Sequence, residues 1–495
     1  MMGLLDRAGG ELTARAEDAE ILVVNTCSFI DSAKQESVNT ILEMVRHKVA
    51  NGGKARRLIV AGCLVERYRD EIRRNIPEVD AVVGTGELEA ILEAAGLSAP
   101  VVPVGSNSPG SPFNILVSRA ASSVHQHSLP LDSTEVAPQL APHFRPEGDL
   151  RERRGRFSRE KWDGATAALP EYLYTEFTPR ILTTPKSSAY IKIAEGCDHP
   201  CSFCIIPQLR GKFRSRRLES IVAEAENLIA QGVREITLIG QDTTCYGEDL
   251  GLVRDGEPVG LSTLLESLAM LPGLKWLRFL YAYPNKVTTR LLETMARHEN
   301  IAKYLDVPLQ HASPSVLKRM KRGGTAEVFL RLIEKARATV PGIVLRTSFI
   351  VGFPGETDED FRQLCDFVAA AKIDWLGVFS YSDEEGAAAF GLDAELKVPK
   401  RTIEARRRRL MRLQQKISAK AKAEWVGREV DVLVEGESDE TELLWQGRTA
   451  LHAPEIDGKV LINDFGPHET LVPGTFYRAE ITESHDYDVV ARILE

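Results

Sequence analysis

No stretch of this chain reaches the ~18 consecutive apolar residues that a membrane-spanning helix needs, so a membrane protein is not expected. The N-terminal segment MMGLLDRAGGELTARAEDAE turns charged after one apolar pair. It has no signal-peptide core, and a cytoplasmic location is the expectation. Cysteine is scarce: Cys27, Cys63, Cys197, Cys201, Cys204, Cys245 and Cys365, seven in 495 residues. An odd number in a chain of this size argues against a disulfide framework. An excess of basic residues is also missing, since 62 Lys and Arg face 71 Asp and Glu. There is no internal repeat. Apolar residues are not lacking: at 43% they suffice for real cores, and at roughly 150 residues per domain two to four domains follow.

The charge is unevenly spread. Residues 421–495 hold 6 basic and 17 acidic residues, while residues 1–420 hold 56 and 54. A nearly neutral body thus carries an acidic tail, a poor binder of phosphate backbones and a fit for a basic protein.

The organisation along the chain is α/β. In residues 1–104 the buried-strand runs ILVVNTC, LIVAGC and AVVGTGE alternate with helices, as in an open parallel sheet. Asp31 is placed to cap the first long helix. Cys27 and Cys63 end two of the strands, on the sheet edge where ligands bind. Residues 105–188 lose periodicity and hold nine of the 25 prolines, which predicts a partly disordered linker or insertion. Its Arg-rich stretch 151–159 reads as solvated. Residues 189–420 offer six strands (YIKIAEGC, EITLIGQD, WLRFLYAY, YLDVPLQ, VLRTSFIVGFP, LGVFSYS) with helices between them, a partial (β/α)6 barrel. The basic helix from 399 to 425 reads as a solvated bridge. Residues 421–495 alternate polar and apolar in short runs, as in a small antiparallel β-barrel.

The strongest chemical signal is EGCDHPCSFCIIP. Cys197, Cys201 and Cys204 stand at C-x3-C-x2-C after the first barrel strand. Structural zinc wants four ligands, and only His199, inside the loop, is offered as a fourth. Three closely spaced thiolates suit a 4Fe–4S cluster with one iron left open.

This loop resembles that of the radical S-adenosylmethionine (SAM) enzymes. The resemblance implies that SAM chelates the open iron and is cleaved to a 5′-deoxyadenosyl radical. Phe203 then shields the cluster. FIVGFPGET resembles the Gly-Pro-Gly-Glu stretch near SAM, implying SAM contacts for Gly352, Pro354 and Gly355, and for Gln241 at another strand end. Over nearly the whole chain the resemblance narrows to the methylthiotransferases, with an N-terminal α/β domain, a radical SAM barrel and a TRAM-like C-terminal module. In that family the N-terminal domain holds a second, auxiliary 4Fe–4S cluster on three cysteines, and Cys27 and Cys63 match two. The family's first auxiliary cysteine precedes a helix resembling MMGLLDRAG, where this sequence begins. A truncated chain or a mis-assigned start is expected, with the first strand of the sheet missing.

Two branches of the family compete. One methylthiolates isopentenyladenosine in tRNA, the other the β-carbon of an aspartate in ribosomal protein uS12. GCDHPCSFCIIPQLRGKFRSR, VPLQHAS and ITESHDYDVV resemble the protein-modifying branch. The acidic tail points the same way, since a module serving tRNA should be basic. The implied partners are uS12 or the small ribosomal subunit, a reducing electron donor and a sulfur donor. A monomer is expected. Arg210 and Arg214, with Lys212 and Arg216, are candidates to hold the target carboxylate; Tyr281, Tyr283, Gln310 and Arg346 are candidates to line the pocket. A non-catalytic Fe–S or RNA-binding protein is the reading from another class.

Overall fold

A computed structural model describes residues 1–97, 114–117, 172–254, 256–438, 441 and 443–494. The N-terminal sheet is parallel. Its strands are β1 (Glu11–Leu12), β2 (Ile21–Thr26), β3 (Arg57–Gly62), β4 (Ala81–Val83) and β5 (Asn114–Val117), in the order β1-β5-β2-β3-β4. Leu22, Val24, Leu58 and Val60 pack on one face with Val38, Ile41 and Leu64; Ile21, Val23, Ile59 and Ala61 pack on the other with Leu5 and Ile91. Burial on both faces is why these strands read as unbroken apolar runs.

Two expectations change here, and a third falls outside the described residues. Residues 114–117, inside the expected linker, form β5 and pair with β2 in the register Ile21↔Ile115. The edge of β2 is therefore covered rather than bare. The Arg-rich stretch 151–159 lies outside the described residues. Asp31 is the first residue of its helix rather than the cap; no side chain caps the preceding Ile30, and Asp31 pairs with Lys34 at 2.6 Å.

The barrel strands are β6 (Ser188–Lys192), β9 (Glu235–Ile239), β12 (Trp276–Phe279), β13 (Tyr304–Asp306), β14 (Val344–Val351) and β15 (Trp375–Ser380). Short antiparallel pairs intervene: β7 (Ala194–Glu195) with β8 (Arg214–Ser215), and β10 (Val253–Arg254) with β11 (Glu257–Pro258). The six strands form two parallel three-stranded sheets. Ala302 N to Leu277 O and Ala282 N to Asp306 O, both 2.9 Å, join β12 to β13. Amphipathic helices cover the outside, as where Leu218, Ile221, Ala225 and Leu228 are buried along one helix.

The C-terminal strands β16 (Glu429–Glu437), β17 (Trp445–Arg448), β18 (Val460–Asp464), β19 (Phe476–Ser484) and β20 (Val489–Ile493) close a barrel in the order β16-β17-β18-β20-β19. It is not wholly antiparallel, because β18 and β20 run parallel. The basic helix, Lys400–Ala423, is not simply solvated. It buries Ile403, Arg406, Leu410, Gln414, Ser418 and Lys422 along one stripe. Among the described residues no helix is long and apolar enough to cross a membrane.

The first residue of every barrel strand meets the C-terminal module. Ser188 and Glu235 receive Arg448 at 3.4 and 2.7 Å. Trp276 packs edge-to-face on Phe476 with ring centres 4.6 Å apart. Tyr304 bonds Asp457 at 2.6 Å, and the Trp375 indole donates to Leu451 O at 3.1 Å. Val344 shares the module's apolar cluster. The module is thus the floor of the barrel, and the N-terminal domain lies at the opposite, ligand-binding end.

Candidate active site at the barrel mouth

The cysteine loop is fixed from several sides. Gly196 has φ +82° and sits where a Cβ would meet Lys212 O at 2.1 Å, so only glycine fits. Its amide donates to Gln241 Oε1 at 2.7 Å, so Gln241 holds the entry of the loop. Ser202 N and Oγ donate to Met320 O and Arg319 O at 3.0 and 2.8 Å. Cys204 Sγ accepts from Ile206 N at 3.4 Å. Burial pushes the Cys197 thiol up to about 11 and the Cys204 thiol up to about 12, and both feel Cys201. Three neighbouring thiols, Cys197 buried and Cys201 and Cys204 half-buried, suit a cation that would draw off their protons. Arg322 donates toward Cys201 Sγ at 3.5 Å and lies over the Tyr283 ring, 4.4 Å from its centre. Tyr283 stacks on His199 at 3.9 Å, and His199 Nε2 bonds Asp242 Oδ2 at 2.5 Å. His199 is thereby a wall of the loop rather than a fourth ligand. Phe203 packs beside the cluster of Val316, Met320 and Phe353.

Cys27 and Cys63 come together because β2 and β3 pair as far as Thr26↔Gly62. They follow those residues at adjacent strand ends. Ser28 Oγ donates to Cys63 O at 2.9 Å. No third cysteine joins them among the described residues: Cys245 bonds Asp242 at 3.1 Å, and Cys365 is buried in the helix Asp358–Ala371. Two sulfurs therefore fit only part of a three-cysteine ligand set.

Between the two cysteine sites lies a group of cations. Arg210, at the end of the short helix Ile206–Arg210 that follows Cys204, donates to Cys63 Sγ and to Glu195 Oε1, each at 3.3 Å. Lys192 Nζ meets the other oxygen of Glu195 at 2.7 Å. Arg214 donates only to the carbonyls of Arg210 and Lys212, and its buried Nε and Nη2 have no partner. Lys192 and Arg210 thus share one buried carboxylate, and Arg214 stands beside them with no carboxylate partner. Lys192 and Glu195 looked like ordinary strand residues in the sequence; only the inward turn of β6 shows their place.

Other candidates land elsewhere. Arg216 is not at the mouth: it is buried against Glu224 at 2.6 Å. Arg346 does not line the pocket but bonds Asp306 at 2.8 Å toward the floor. Lys212 is exposed. Tyr281 and Gln310 sit at strand ends with φ of 63° and 72°. Gly352 has φ +80°, and a Cβ there would meet Ile403 at 2.3 Å. Its glycine is explained by the basic helix. Gly355 and Pro354 complete the turn, which Glu356 locks by accepting from Gly352 N and from Phe353 N and pairing with Arg406 at 3.0 Å.

Comparison with known proteins bears on this geometry. Residues 191–368 match the Radical SAM superfamily, residues 1–84 the Uncharacterized protein family UPF0004 and residues 426–494 the TRAM domain. The Ribosomal protein uS12 methylthiotransferase RimO of Koribacter versatilis (strain Ellin345) is 65% identical over 100% of this chain and 93% of its own. The protein of that name from Solibacter usitatus (strain Ellin6076) is 52% identical over 100% and 91%. The solved structure of the radical SAM methyltransferase TsrM from Kitasatospora setae aligns with a TM-score of 0.44 at 17% identity, over 73% of this chain and 62% of that one.

Proposed function

The chain belongs to the uS12 methylthiotransferase RimO family of radical SAM enzymes, and from that premise we propose how its mouth performs the reaction. It is a SAM-dependent transferase that adds a methylthio group to an aspartate β-carbon of uS12. Cys197, Cys201 and Cys204 hold the 4Fe–4S cluster. When bound, cluster and SAM supply the 5′-deoxyadenosyl radical that such an unactivated C–H bond requires. The residues of this chain do the rest. Arg322, Tyr283 and His199 wall the loop, and Gln241 fixes its entry. The carrying observation is the cation group: Arg214, with two unpartnered nitrogens beside Arg210, Lys192 and a single carboxylate, receives the target carboxylate. A tRNA base offers no such charge. Tyr281 and Gln310 line the pocket, and Gly352, Pro354, Gly355 and Phe203 shape the SAM side.

Cys27 and Cys63 hold a second 4Fe–4S cluster. Their adjacency and the Arg210 guanidinium on the Cys63 sulfur support this reading. The domains divide at 1–104, to which the strand 114–117 is added, 105–188, 189–420 and 421–495. A monomer acting in the cytoplasm on uS12 or the small subunit, with a reducing electron donor and a sulfur donor, completes the proposal. Anaerobic reconstitution with iron and sulfide counting tests the cluster part. About eight irons per chain, falling to about four in a Cys197/Cys201/Cys204→Ala variant, is the expected result. About four falling to none contradicts the second cluster.

A further inference from the structure

The floor of the barrel reaches the mouth through a line of buried charges. Tyr281 is a non-glycine residue at φ 63°, a strained conformation that persists only where its surroundings impose it. The imposing groups are on either side of its backbone. Its N–H donates to Asp306 Oδ2 at 2.9 Å, and its carbonyl accepts from Thr243 N at 3.1 Å. Asp306 is wholly buried, and its other oxygen takes Arg346 Nη1 at 2.8 Å. Arg346 Nε in turn faces Asp457 Oδ1 at 3.7 Å. Asp457 belongs to the C-terminal module, in the stretch between β17 and β18. Its second oxygen accepts from the Tyr304 hydroxyl at 2.6 Å and from Ala453 N at 2.8 Å. On the far side, Thr244, next to Thr243, accepts from Tyr283 N at 3.0 Å and donates to Asp242, which holds His199 of the cysteine loop.

We infer that Asp457 of the C-terminal module is a positioning residue for the barrel mouth, acting through Arg346 and Asp306 to hold Tyr281 in its left-handed turn. Arg346 has two carboxylates to satisfy it. With Asp457 neutral it turns wholly to Asp306, whose grip on the Tyr281 amide loosens. The turn then relaxes toward negative φ, and the Tyr281 ring leaves its place at the mouth. The C-terminal module thereby does more than recruit a partner: it sets the shape of the site from below.

The test is a double-mutant cycle on the full reconstituted chain, with Asp457→Asn, Tyr281→Gly and both together. Glycine takes positive φ without strain and needs no lock. Two rates are read: methylthiolation of uS12, and release of 5′-deoxyadenosine from SAM without uS12. Asp457→Asn is expected to cut methylthiolation about tenfold and to raise the ratio of SAM cleaved to product formed, with iron content unchanged. In the Tyr281→Gly background it should add less than about twofold, since coupled residues do not add. Tyr304→Phe, which removes one bond to Asp457, should give a smaller effect in the same direction if Asp457→Asn folds poorly. Losses from Asp457→Asn and Tyr281→Gly that multiply in full overturn the inference, as does a loss that only tracks the folded fraction. The turnover readout rests on the proposed uS12 activity. A wild-type chain that cleaves SAM but leaves uS12 unmodified defeats that activity and not the inference, which the cycle then decides on 5′-deoxyadenosine release without uS12: a change from Asp457→Asn that vanishes in the Tyr281→Gly background supports it, and a fully additive one, or none, overturns it.

Discussion

The two ends of the barrel use the same side chains to opposite ends. At the floor, Arg448 bonds Glu235 through two nitrogens and Glu435 through a third, and Arg278 adds to Glu235 while lying over the Tyr304 ring. Arg346 has Asp306 and Asp457. Acids outnumber the cations there, and the charges are sealed between two domains; Arg278 Nε and Nη1 lack a hydrogen-bond partner, and that guanidinium lies over the Tyr304 ring instead. At the mouth, Lys192 and Arg210 share Glu195, while Arg214 beside them meets only backbone carbonyls and leaves two donors over. A balanced buried network fixes a structure; an unbalanced one is completed by a ligand. The floor is therefore architecture and the mouth is chemistry.

Substitutions at the two ends should separate along that line. The largest effect belongs to Cys197→Ala, which should abolish SAM cleavage and remove about four irons, read by iron assay and 5′-deoxyadenosine release. Next is Arg448→Ala at the floor. It strands Glu235 as a buried charge and should lower unfolding free energy by about 3–5 kcal/mol in urea titration. Replacing Glu235 by Leu and Arg278 by Met in an Arg448→Met background, so that no buried charge is left unpaired, should recover most of that loss.

The pH dependence sharpens the same point. Arg448, Arg278 and Ser188 outweigh burial and hold Glu235 at about 2, below the ~4.3 of an unfolded glutamate. A depressed carboxylate adds stability above its unfolded value and loses it as pH falls through the folded one. The wild-type chain should thus weaken between about pH 4 and pH 2, and the Arg448→Ala variant should show a much flatter response in the same window. The smallest effect is expected at the mouth. Arg214→Ala should raise the KM for uS12 about tenfold with kcat within twofold and the melting temperature unchanged, the pattern of a lost uniform binding contact. A melting shift as large as that of Arg448→Ala would erase the distinction between the two ends.

Much of this was legible in the sequence because it is local. Six barrel strands announce themselves as apolar runs, and the C-x3-C-x2-C spacing of Cys197, Cys201 and Cys204 marks them as candidate cluster ligands. What was hidden depends on distance along the chain. Glu235 and Arg448 are 213 residues apart, and no pattern in either segment points to the other. The close approach of Gly352 to Ile403 on a later helix gave no sign in the sequence. Arg216 and Arg346 looked like mouth residues because they neighbour strand ends, yet their side chains turn outward or down. The stretch 105–188 lacked periodicity, and the four residues of β5 are too few to carry any.

The most direct measurement is mass spectrometry of uS12 and of isopentenyladenosine-containing tRNA, offered together to the reduced, reconstituted chain with SAM. The expected result is the mass gain of a methylthio group on one uS12 aspartate, an unmodified tRNA, and no product on either from the Cys197→Ala variant. Methylthiolated tRNA with unmodified uS12 would contradict the reading of the mouth as a carboxylate site.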